Sequence, residues 1–391
     1  MSTLRVNKLE NTNTSNGGIS IDTSGHVSID GANFPTAGPL SNRNKVINGA
    51  MQVAQRTTSE SNISSANTVR VLDRWQIRIN GTGTWTISQS TEAPPGFSKS
   101  IRWQCTTADA SPAAGDFQYM AHRLEGLNVQ DLVKGTSSAK PVTVSFWVRS
   151  TVTGSYAFRL VDNQNSRQIG QNYTVNQADT WEYKTMTFAG DTAGALASDN
   201  ANRLSMMWWL VSGSERTSGS IPTSWQTLAT ADEAAGQTAN IASSTSNNFY
   251  ITGVQLEVGE TATPFEHRSY GDELAKCQRY FERMNYTYDA WTFIAVATVP
   301  GTSSAINMIG SIYYETKRTD PTVTSTAANT FRQNGGGVSD NVATTIGFAM
   351  ETPKSCRIEA AATGIWRTSG LSGWISRQST STCYIDFDAE L

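Results

Sequence analysis

Tryptophan side chains are the most informative chemical groups in this sequence. The chain carries 11 of them among 391 residues, although only 38% of its residues are hydrophobic. The face of an indole ring packs against the apolar C–H face of a pyranose, while its N–H group donates a hydrogen bond outward. The pattern indicates sugar binding, and the candidates are Trp147, Trp181, Trp208, Trp225, Trp366 and Trp374. The alternative for each ring is a place in the core or in a subunit interface.

Catalytic groups give a weaker signal. Glycosidases need two carboxyl groups about 5–10 Å apart, and the carboxylates that could pair in this way are Asp73, Asp116, Glu125 and Asp162. The sequence has neither a Gly-x-Ser-x-Gly elbow nor a glycine-rich phosphate loop. A Ser-His-Asp relay would need a coincidence of folding, because the histidines are far apart: His26, His122 and His267. We therefore expect a protein that is not an enzyme, with His122 as a hydrogen-bonded strand residue and His267 as a brace before a helix.

Metal ligands are sparse. No two of the four cysteines form a Cys-x-x-Cys pair, which argues against a zinc site. We expect reduced thiols, mostly buried in strands, with a disulfide as the alternative, at Cys105, Cys277, Cys356 and Cys383. Asp386 and Asp388 share one face of a strand and could bind calcium, although solvated edge charges are commoner. We expect no cofactor, with structural calcium left open.

Charge and hydropathy exclude some classes of protein. The formal net charge is −3 and no run of basic residues stands out, so the charge pattern typical of nucleic-acid binding is missing. No window approaches 18 apolar residues, and we expect no membrane span. The first residues lack the apolar stretch of a signal peptide. We expect a protein that is made in a cytoplasm and does not leave by the secretory route.

The elements that would position the tryptophans are strands. Only 16% of the residues are charged, and the chain is rich in Gly, Ser and Thr, which suits sheets with one wet face and many turns. The clearest strand covers 142–149 and places four apolar side chains on one face: Val142, Val144, Phe146 and Val148. About nine or ten such strands predict an antiparallel jelly-roll sandwich over residues 66–268. A polar excursion over 212–248 is expected at one end of it.

Other segments flank this sandwich. Ser269, with Asp272 three positions later, predicts a helix start, and we expect one short connecting helix over residues 269–284. The strand pattern of residues 285–391 predicts a smaller β-sandwich domain. Residues 41–65 are predicted to form a linker. Residues 1–40 have too few apolar side chains to bury a core alone. They are either disordered or ordered by other chains, for which intertwining around a three-fold axis, and hence a homotrimer, is the expected solution.

Three stretches resemble phage tail-fibre-type proteins of marine and cyanobacterial phages. The first is the opening Leu4-Arg5-Val6-Asn7-Lys8-Leu9-Glu10-Asn11 with its Gly-Ile-Ser-Ile-Asp phrase. The second is Asn48-Gly49-Ala50-Met51-Gln52-Val53-Ala54-Gln55-Arg56. The third runs from Tyr250 to Gly259 and on through Pro264-Phe265-Glu266-His267-Arg268 to Cys277-Gln278-Arg279-Tyr280-Phe281. Between them, residues 144–150 and 180–184 resemble strands of a carbohydrate-binding-module sandwich.

The resemblance covers about residues 1–284 and implies a trimeric virion protein of the phage tail, built in the host cytoplasm. Residues 1–40 would attach to tail or adaptor proteins, through Leu4, Val6, Leu9, Ile19 and Ile21. The β domains would bind host cell-surface polysaccharide or lipopolysaccharide, with residues 285–391 as the receptor-binding tip. Two alternatives stay open: a capsid decoration or vertex fibre protein, and a polysaccharide depolymerase.

Overall fold

The computed structural model describes residues 8–10, 18–23, 25, 27–29, 32–33, 41–69, 71–286, 292–300, 307–335, 338–362, 371–378 and 383–391. The chain forms two compact units, Met1–Glu273 with Leu391, and Leu274–Glu390. Both are built mostly from antiparallel strands, which confirms the predicted mostly β fold.

The first strands form a small antiparallel meander. They pair in sequence order and are β1 (Lys8–Glu10), β2 (Gly18–Ile21), β3 (Val27–Ile29) and β4 (Ala32–Asn33). Leu9 lies opposite Ile19, which lies opposite Ile29, so these side chains form an apolar row. They are 61%, 42% and 40% exposed. Of the predicted attachment residues, Leu9, Ile19 and Ile21 lie in this meander, and Leu4 and Val6 lie outside the described residues.

The central sandwich consists of two antiparallel sheets. Its strands are β5 (Ser59–Ile63), β6 (Ala66–Val69), β7 (Trp75–Asn80), β8 (Thr84–Ser90), β9 (Ser100–Thr107), β10 (Phe117–Glu125), β11 (Val142–Ser150), β12 (Gly154–Asp162), β13 (Arg167–Val175), β14 (Glu182–Phe188), β15 (Asn202–Ser212), β16 (Gln226–Thr227) and β17 (Asn248–Val258). The seven-stranded sheet has the order β16-β13-β12-β15-β10-β7-β6, and the six-stranded sheet has the order β14-β11-β17-β9-β8-β5. One apolar core draws side chains from both sheets, because alternate residues of each strand point inward.

The predicted linker over residues 41–65 is wrong, because most of it belongs to the sandwich. Val46 and Met51 are fully buried in the core, and β5 is an edge strand of the six-stranded sheet. The amide of Val254 donates to the carbonyl of Gly49 at 2.9 Å, and the side chain of Asn44 bonds the backbone of Val254 and Leu256. Two stretches that carry the phage resemblance therefore contact each other and hold this segment against β17.

The polar excursion over residues 212–248 covers a face of the sandwich, whereas it was expected at one end. It contains α1 (Ser214–Thr217) and two 3-10 helices, Thr230–Asp232 and Ile241–Ser243. Ala234 joins an apolar cluster with Ala157, Val161 and Trp209 on the outward side of the seven-stranded sheet. The buried guanidinium of Arg159 donates to the carbonyls of Asp232 and Ala235. The excursion thus covers part of that sheet's outer face, where buried polar and apolar groups hold it.

The connecting helix is shorter than predicted. The helix α2 (Tyr270–Gln278) begins as expected, since the Ser269 hydroxyl accepts the Asp272 amide at 3.2 Å and lies 2.6 Å from its carboxylate. The helix does not reach residue 284, because β18 (Phe281–Asn285) pairs with a strand about 100 residues later. A ladder between such distant residues gives no local signal, whereas Phe281 and Met284 also fit a helical spacing.

The second unit contains two further sheets. Its strands after β18 are β19 (Phe293–Thr298), β20 (Asn307–Tyr313), β21 (Thr322–Ser325), β22 (Phe331–Gly335), β23 (Val338–Val342), β24 (Thr345–Ala349), β25 (Ser355–Ala361), β26 (Ser372–Arg377) and β27 (Tyr384–Asp388). The sheet orders are β18-β27-β21 and β23-β22-β26-β19-β20-β25-β24. One core contains residues from both sheets, so a smaller β-sandwich is present, but it begins before the predicted boundary at residue 285.

Candidate functional site

The alternation along β11 creates the candidate site. Val142, Val144, Phe146 and Val148 enter the core, as predicted, so Ser145, Trp147 and Arg149 project from the other side of the six-stranded sheet. Trp147 lies opposite Tyr183 of β14 and opposite Thr252 of β17. This register brings side chains from three neighbouring strands together around one tryptophan.

Four aromatic rings on this side of the sheet form two contacting pairs, Tyr183 with Trp147 and Trp181 with Tyr250, and we call them the aromatic strip. The ring centroids of Trp147 and Tyr183 are 5.3 Å apart, and those of Trp181 and Tyr250 are 6.2 Å apart. Tyr183 is 44% exposed, whereas Tyr250 is 7% exposed. The strip therefore presents ring faces to solvent at one end and continues into the protein at the other.

Two arginines flank the buried end of the strip. The guanidinium carbons of Arg149 and Arg102 lie 5.3 and 5.8 Å from the ring centroid of Tyr250. Arg149 also pairs with Glu92 at 2.9 Å and Asp179 at 3.3 Å, and both carboxylates are more than half exposed. Exposed ion pairs of this kind contribute about 0–1 kcal/mol, so an incoming ligand can replace them at little cost.

Two buried polar atoms beside Trp147 have unused hydrogen-bonding capacity. The hydroxyl of Thr252 is fully buried, and neither it nor the Nε of Arg149 has a hydrogen-bond partner among the described residues. Leaving a buried polar group unpaired costs about 1–3 kcal/mol. Both atoms are enclosed by the protein, so a ligand on the aromatic surface can reach them only after neighbouring side chains move.

A β-bulge fixes this geometry. The pairing of β11 with β17 shifts between Ser145 and Trp147, and Gly253 follows Thr252 with a φ of +62°. A Cβ atom on Gly253 would lie 2.7 Å from Cζ of Phe97. Phe97 in turn packs against Phe265 and His267, with centroids 5.0 and 5.2 Å away. Glycine is therefore required beside the site both for its backbone angle and for its size.

Glu182 fixes the turn that carries Trp181. Its carboxylate accepts the amides of Asn176 and Gln177 at 2.8 and 2.9 Å and lies 2.6 Å from Nζ of Lys184. Burial raises the pKa of this carboxyl, but the hydrogen bonds from Lys184, Gln177 and Asn176 outweigh burial and lower it to about 2. The carboxylate is charged at neutral pH and holds the turn closed.

The structure separates the predicted ligand tryptophans into different environments. Trp147 and Trp181 are half-buried in the aromatic strip. Trp208 was predicted wrongly: it is fully buried in the core, where its ring packs against Trp75, Phe146 and Phe158, so it offers no face to a ligand. Trp374 is 41% exposed on β26 of the second unit, and its role stays a prediction. Trp366 lies outside the described residues.

Trp225 lies away from the strip. Its Nε1 donates to the carbonyl of Ala189 at 2.8 Å, and Nζ of Lys134 lies 5.0 Å from its ring centroid. Lys134 itself is enclosed by oxygens, since Nζ is 2.5 Å from Asp162, 2.9 Å from Asp191 and 2.7 Å from the carbonyl of Gly194. This ion network is structural, and it accounts for one of the predicted catalytic carboxylates.

Other titratable candidates also have structural partners. The carboxylate of Asp73 binds the side chain of Gln55, and that of Asp116 accepts the amide of Ala113 at 2.9 Å. Asp386, a predicted calcium ligand, forms an ion pair of 2.6 Å with Arg283. No group of three or more acidic, histidine or cysteine side chains in the described ranges is arranged to hold a metal ion.

His122 and the four cysteines are buried, His267 is exposed, and His26 lies outside the described residues. The Nε2 of His122 lies 3.0 Å from the carbonyl of Ile47, and burial lowers its pKa well below the usual value. His267 packs on Phe97 and Phe265 just before α2. All four cysteines lie in the described residues and are buried free thiols, and burial raises the pKa of Cys356 to about 12. His122 is thus hydrogen-bonded and His267 packs before the helix, as predicted, but only Cys105 and Cys356 of the four cysteines lie in strands.

Half of the residues of the site were not predicted from the sequence. Tyr183, Tyr250, Thr252 and Arg102 were not singled out, although Arg102 and Tyr250 each lie between two buried apolar residues of their strands. That alternation marks them as outward-facing, but only the strand order β14-β11-β17-β9 shows that they are neighbours.

No helix in the described parts of the chain is long and apolar enough to cross a membrane. No protein-family model matches the sequence, and no curated protein matches it. Solved structures give weak matches. One is the enzymatically active domain of tailspike protein 4 from bacteriophage CBA120, at 14% identity and a TM-score of 0.31, over 58% of this chain but only 24% of that one.

Two binding modules match at similar levels. TmCBM61, solved with β-1,4-galactotriose, is 6% identical, with a TM-score of 0.29 over 56% of this chain and 100% of its own. The family 11 carbohydrate-binding module from Clostridium thermocellum, solved with a mixed-linked tetrasaccharide, is 8% identical, with a TM-score of 0.27 over 53% of this chain and 99% of its own. Likeness at these scores carries no conclusion about function, so any functional assignment depends on the geometry of the site.

Proposed function

We propose that this chain binds a glycan through the aromatic strip on the six-stranded sheet. The observation that carries the proposal is the contact between half-buried Trp147 and exposed Tyr183, whose ring centroids lie 5.3 Å apart on the outward side of the six-stranded sheet. Pyranose rings offer apolar C–H faces for stacking and hydroxyl groups that both donate and accept hydrogen bonds. One bound sugar would stack on these two aromatic rings and direct its hydroxyl groups to the exposed ion pairs of Arg149 with Glu92 and Asp179.

The proposal is tested by presenting the purified full chain to an array of bacterial surface polysaccharides. We expect retention on a subset of them, released by free oligosaccharide of the same composition. Trp147→Ala should abolish retention, whereas Tyr270→Ala should leave it unchanged, because Tyr270 is 56% exposed at the start of α2 and is not one of the rings of the strip. Equal retention of both variants would contradict the proposal.

Binding without cleavage is part of the proposal. Three carboxylates beside the strip, Glu92, Asp179 and Glu182, are engaged by Arg149 or Lys184, and an engaged carboxylate is a poor general acid. We expect no shortening of host polysaccharide after prolonged incubation with the protein. Release of oligosaccharides would instead favour the depolymerase alternative.

The biological setting proposed for this activity is a phage tail fibre. The support is the resemblance of three stretches to tail-fibre-type proteins, together with the apolar row of Leu9, Ile19 and Ile29, whose exposure favours burial by other chains of a homotrimer or by a tail protein. Deleting residues 1–40 should prevent incorporation into virions while leaving glycan binding intact. Gold label on the N-terminus found at capsid vertices would support the decoration or vertex-fibre alternative instead.

A further inference from the structure

A second surface of the molecule carries exposed apolar side chains that glycan binding does not use. It lies on the larger sheet of the second unit, where Phe293, Val296, Tyr313 and Met350 are 53%, 64%, 75% and 71% exposed. On β19 and β20, the neighbours Ala297, Met308 and Ile312 point into the core, so the exposed residues lie on the outward face. All four line one open groove with a volume of about 840 Å³. We call this surface the β19–β20 groove.

The exposed apolar area of the groove is comparable to the largest apolar patch on a typical monomer. With roughly 200 Å² for a fully exposed large side chain, the four exposed fractions correspond to about 500 Å². The largest apolar patch on a typical monomer is about 300–600 Å² and is often an interaction site. If two copies covered this area on each other, they would bury about 1,000 Å² of apolar surface before any polar rim is counted, which reaches the lower limit for a specific interface.

The charges around the groove favour an uncharged, self-complementary partner. Among the described residues, the one charged residue that lines the groove is Arg357, and its guanidinium is paired within the chain with Glu359 at 2.5 Å. The remaining polar lining includes the small hydroxyls of Thr298, Ser311 and Ser355. A charged ligand would find no unpaired opposite charge here, whereas an identical neutral apolar surface would find a matching one.

The shape of the β19–β20 groove also favours a second copy of this chain as its partner. Tyr313 and Met350 are three-quarters or nearly three-quarters exposed, so they project, and they border the same groove that could receive them. An isologous contact requires projecting and receiving features on one patch. We propose that the β19–β20 groove is a self-association surface, occupied by the same groove of a second copy of this chain. This contact would be independent of glycan binding, which involves the other unit.

The four native cysteines are buried, so a single introduced cysteine reports its own accessibility in the full-length protein. Ser311→Cys places a thiol at an exposed position in the groove, and Ser137→Cys places one at an exposed position of the sandwich unit. We expect a maleimide to label Ser311→Cys at least 10-fold more slowly than Ser137→Cys. Equal labelling rates would overturn the proposal.

A second substitution separates self-association from other causes of protection. Adding Met350→Lys to Ser311→Cys should restore fast labelling and lower the mass measured by sedimentation, because it places like charges against each other in the contact. Protection and mass that both survive Met350→Lys would also overturn the proposal, since another partner or segment would then cover the groove. Glycan retention on the polysaccharide array should be unchanged by Met350→Lys, so failure here is distinguishable from failure of the proposed function.

Discussion

Substituting Gly253 by alanine tests the bulge that shapes the glycan site. Gly253 lies between Thr252 and the buried Val254 of β17 and has a φ of +62°. Alanine would be strained in the left-handed backbone and would also push against the ring of Phe97, whose atoms lie 2.7–3.2 Å from the added Cβ. Phe97 has limited room to move, because Phe265 and His267 pack on it.

The expected decrease in the free energy of unfolding has two contributions. A left-handed conformation costs a non-glycine residue about 1–2 kcal/mol, and overpacking of a fitted contact adds about 1–3 kcal/mol. We expect Gly253→Ala to lower the free energy of unfolding by about 3 kcal/mol, since both terms apply. At about 2–4 °C per kcal/mol for a domain of this size, the Tm should fall by roughly 10 °C.

Urea denaturation of matched variants separates the two parts. Gly96 has a φ of +90° with no atom within 4 Å of the position that a Cβ would take, and Gly271 has neither a positive φ nor a close neighbour. Gly96→Ala should therefore cost about 1–2 kcal/mol from the backbone alone, and Gly271→Ala should cost nothing of this kind. If Gly253→Ala were no more destabilised than Gly96→Ala, the packing of Phe97 against the bulge would be refuted. Glycan affinity should fall in Gly253→Ala only.

Three other perturbations have defined outcomes. Lys134→Met should lower the free energy of unfolding by about 3–5 kcal/mol in urea titration, because it leaves the buried carboxylate of Asp162 without its cation; an unchanged midpoint would contradict this. Trp208→Ala should cost about 3–5 kcal/mol, because it opens a cavity in the core, whereas Trp147→Ala should reduce binding far more than stability. The pKa of Glu182 is lowered to about 2 when folded, so its contribution is complete above its unfolded pKa of about 4.3 and is lost as the pH falls towards 2. The stability difference between wild type and Glu182→Gln should therefore shrink from pH 6 to pH 3, and a constant difference would contradict the assigned role.

The sequence predicted the sandwich well where strands alternate strongly, as in β11. It did not predict β13, whose residues between Arg167 and Val175 include Gly170, Gln171 and Asn172 and give little apolar periodicity. That strand forms because it pairs with β12 along its whole length. The composition of this segment does not predict a strand, because the segment is stabilised by its neighbour β12 in the sheet.

The same dependence on other parts of the chain explains why the burial of the tryptophans could not be predicted from the sequence. Trp147 and Trp208 both lie within apolar-rich strands, yet one reaches the surface and the other fills the core. Trp208 and its neighbour Trp209 point to opposite sides of β15 and both are buried, because the excursion covers the outward side of that sheet. Whether the outward face of a strand is exposed to solvent depends on the segment that covers it. Here that segment comes from another part of the chain.

The most direct measurement is a crystal structure of the full chain with a bound oligosaccharide taken from the polysaccharide array. The account predicts a sugar ring stacked on Trp147 or Tyr183, with its hydroxyl groups within hydrogen-bonding distance of the side chains of Arg149, Glu92 or Asp179. A saccharide bound elsewhere, with the aromatic strip left uncovered, would contradict it.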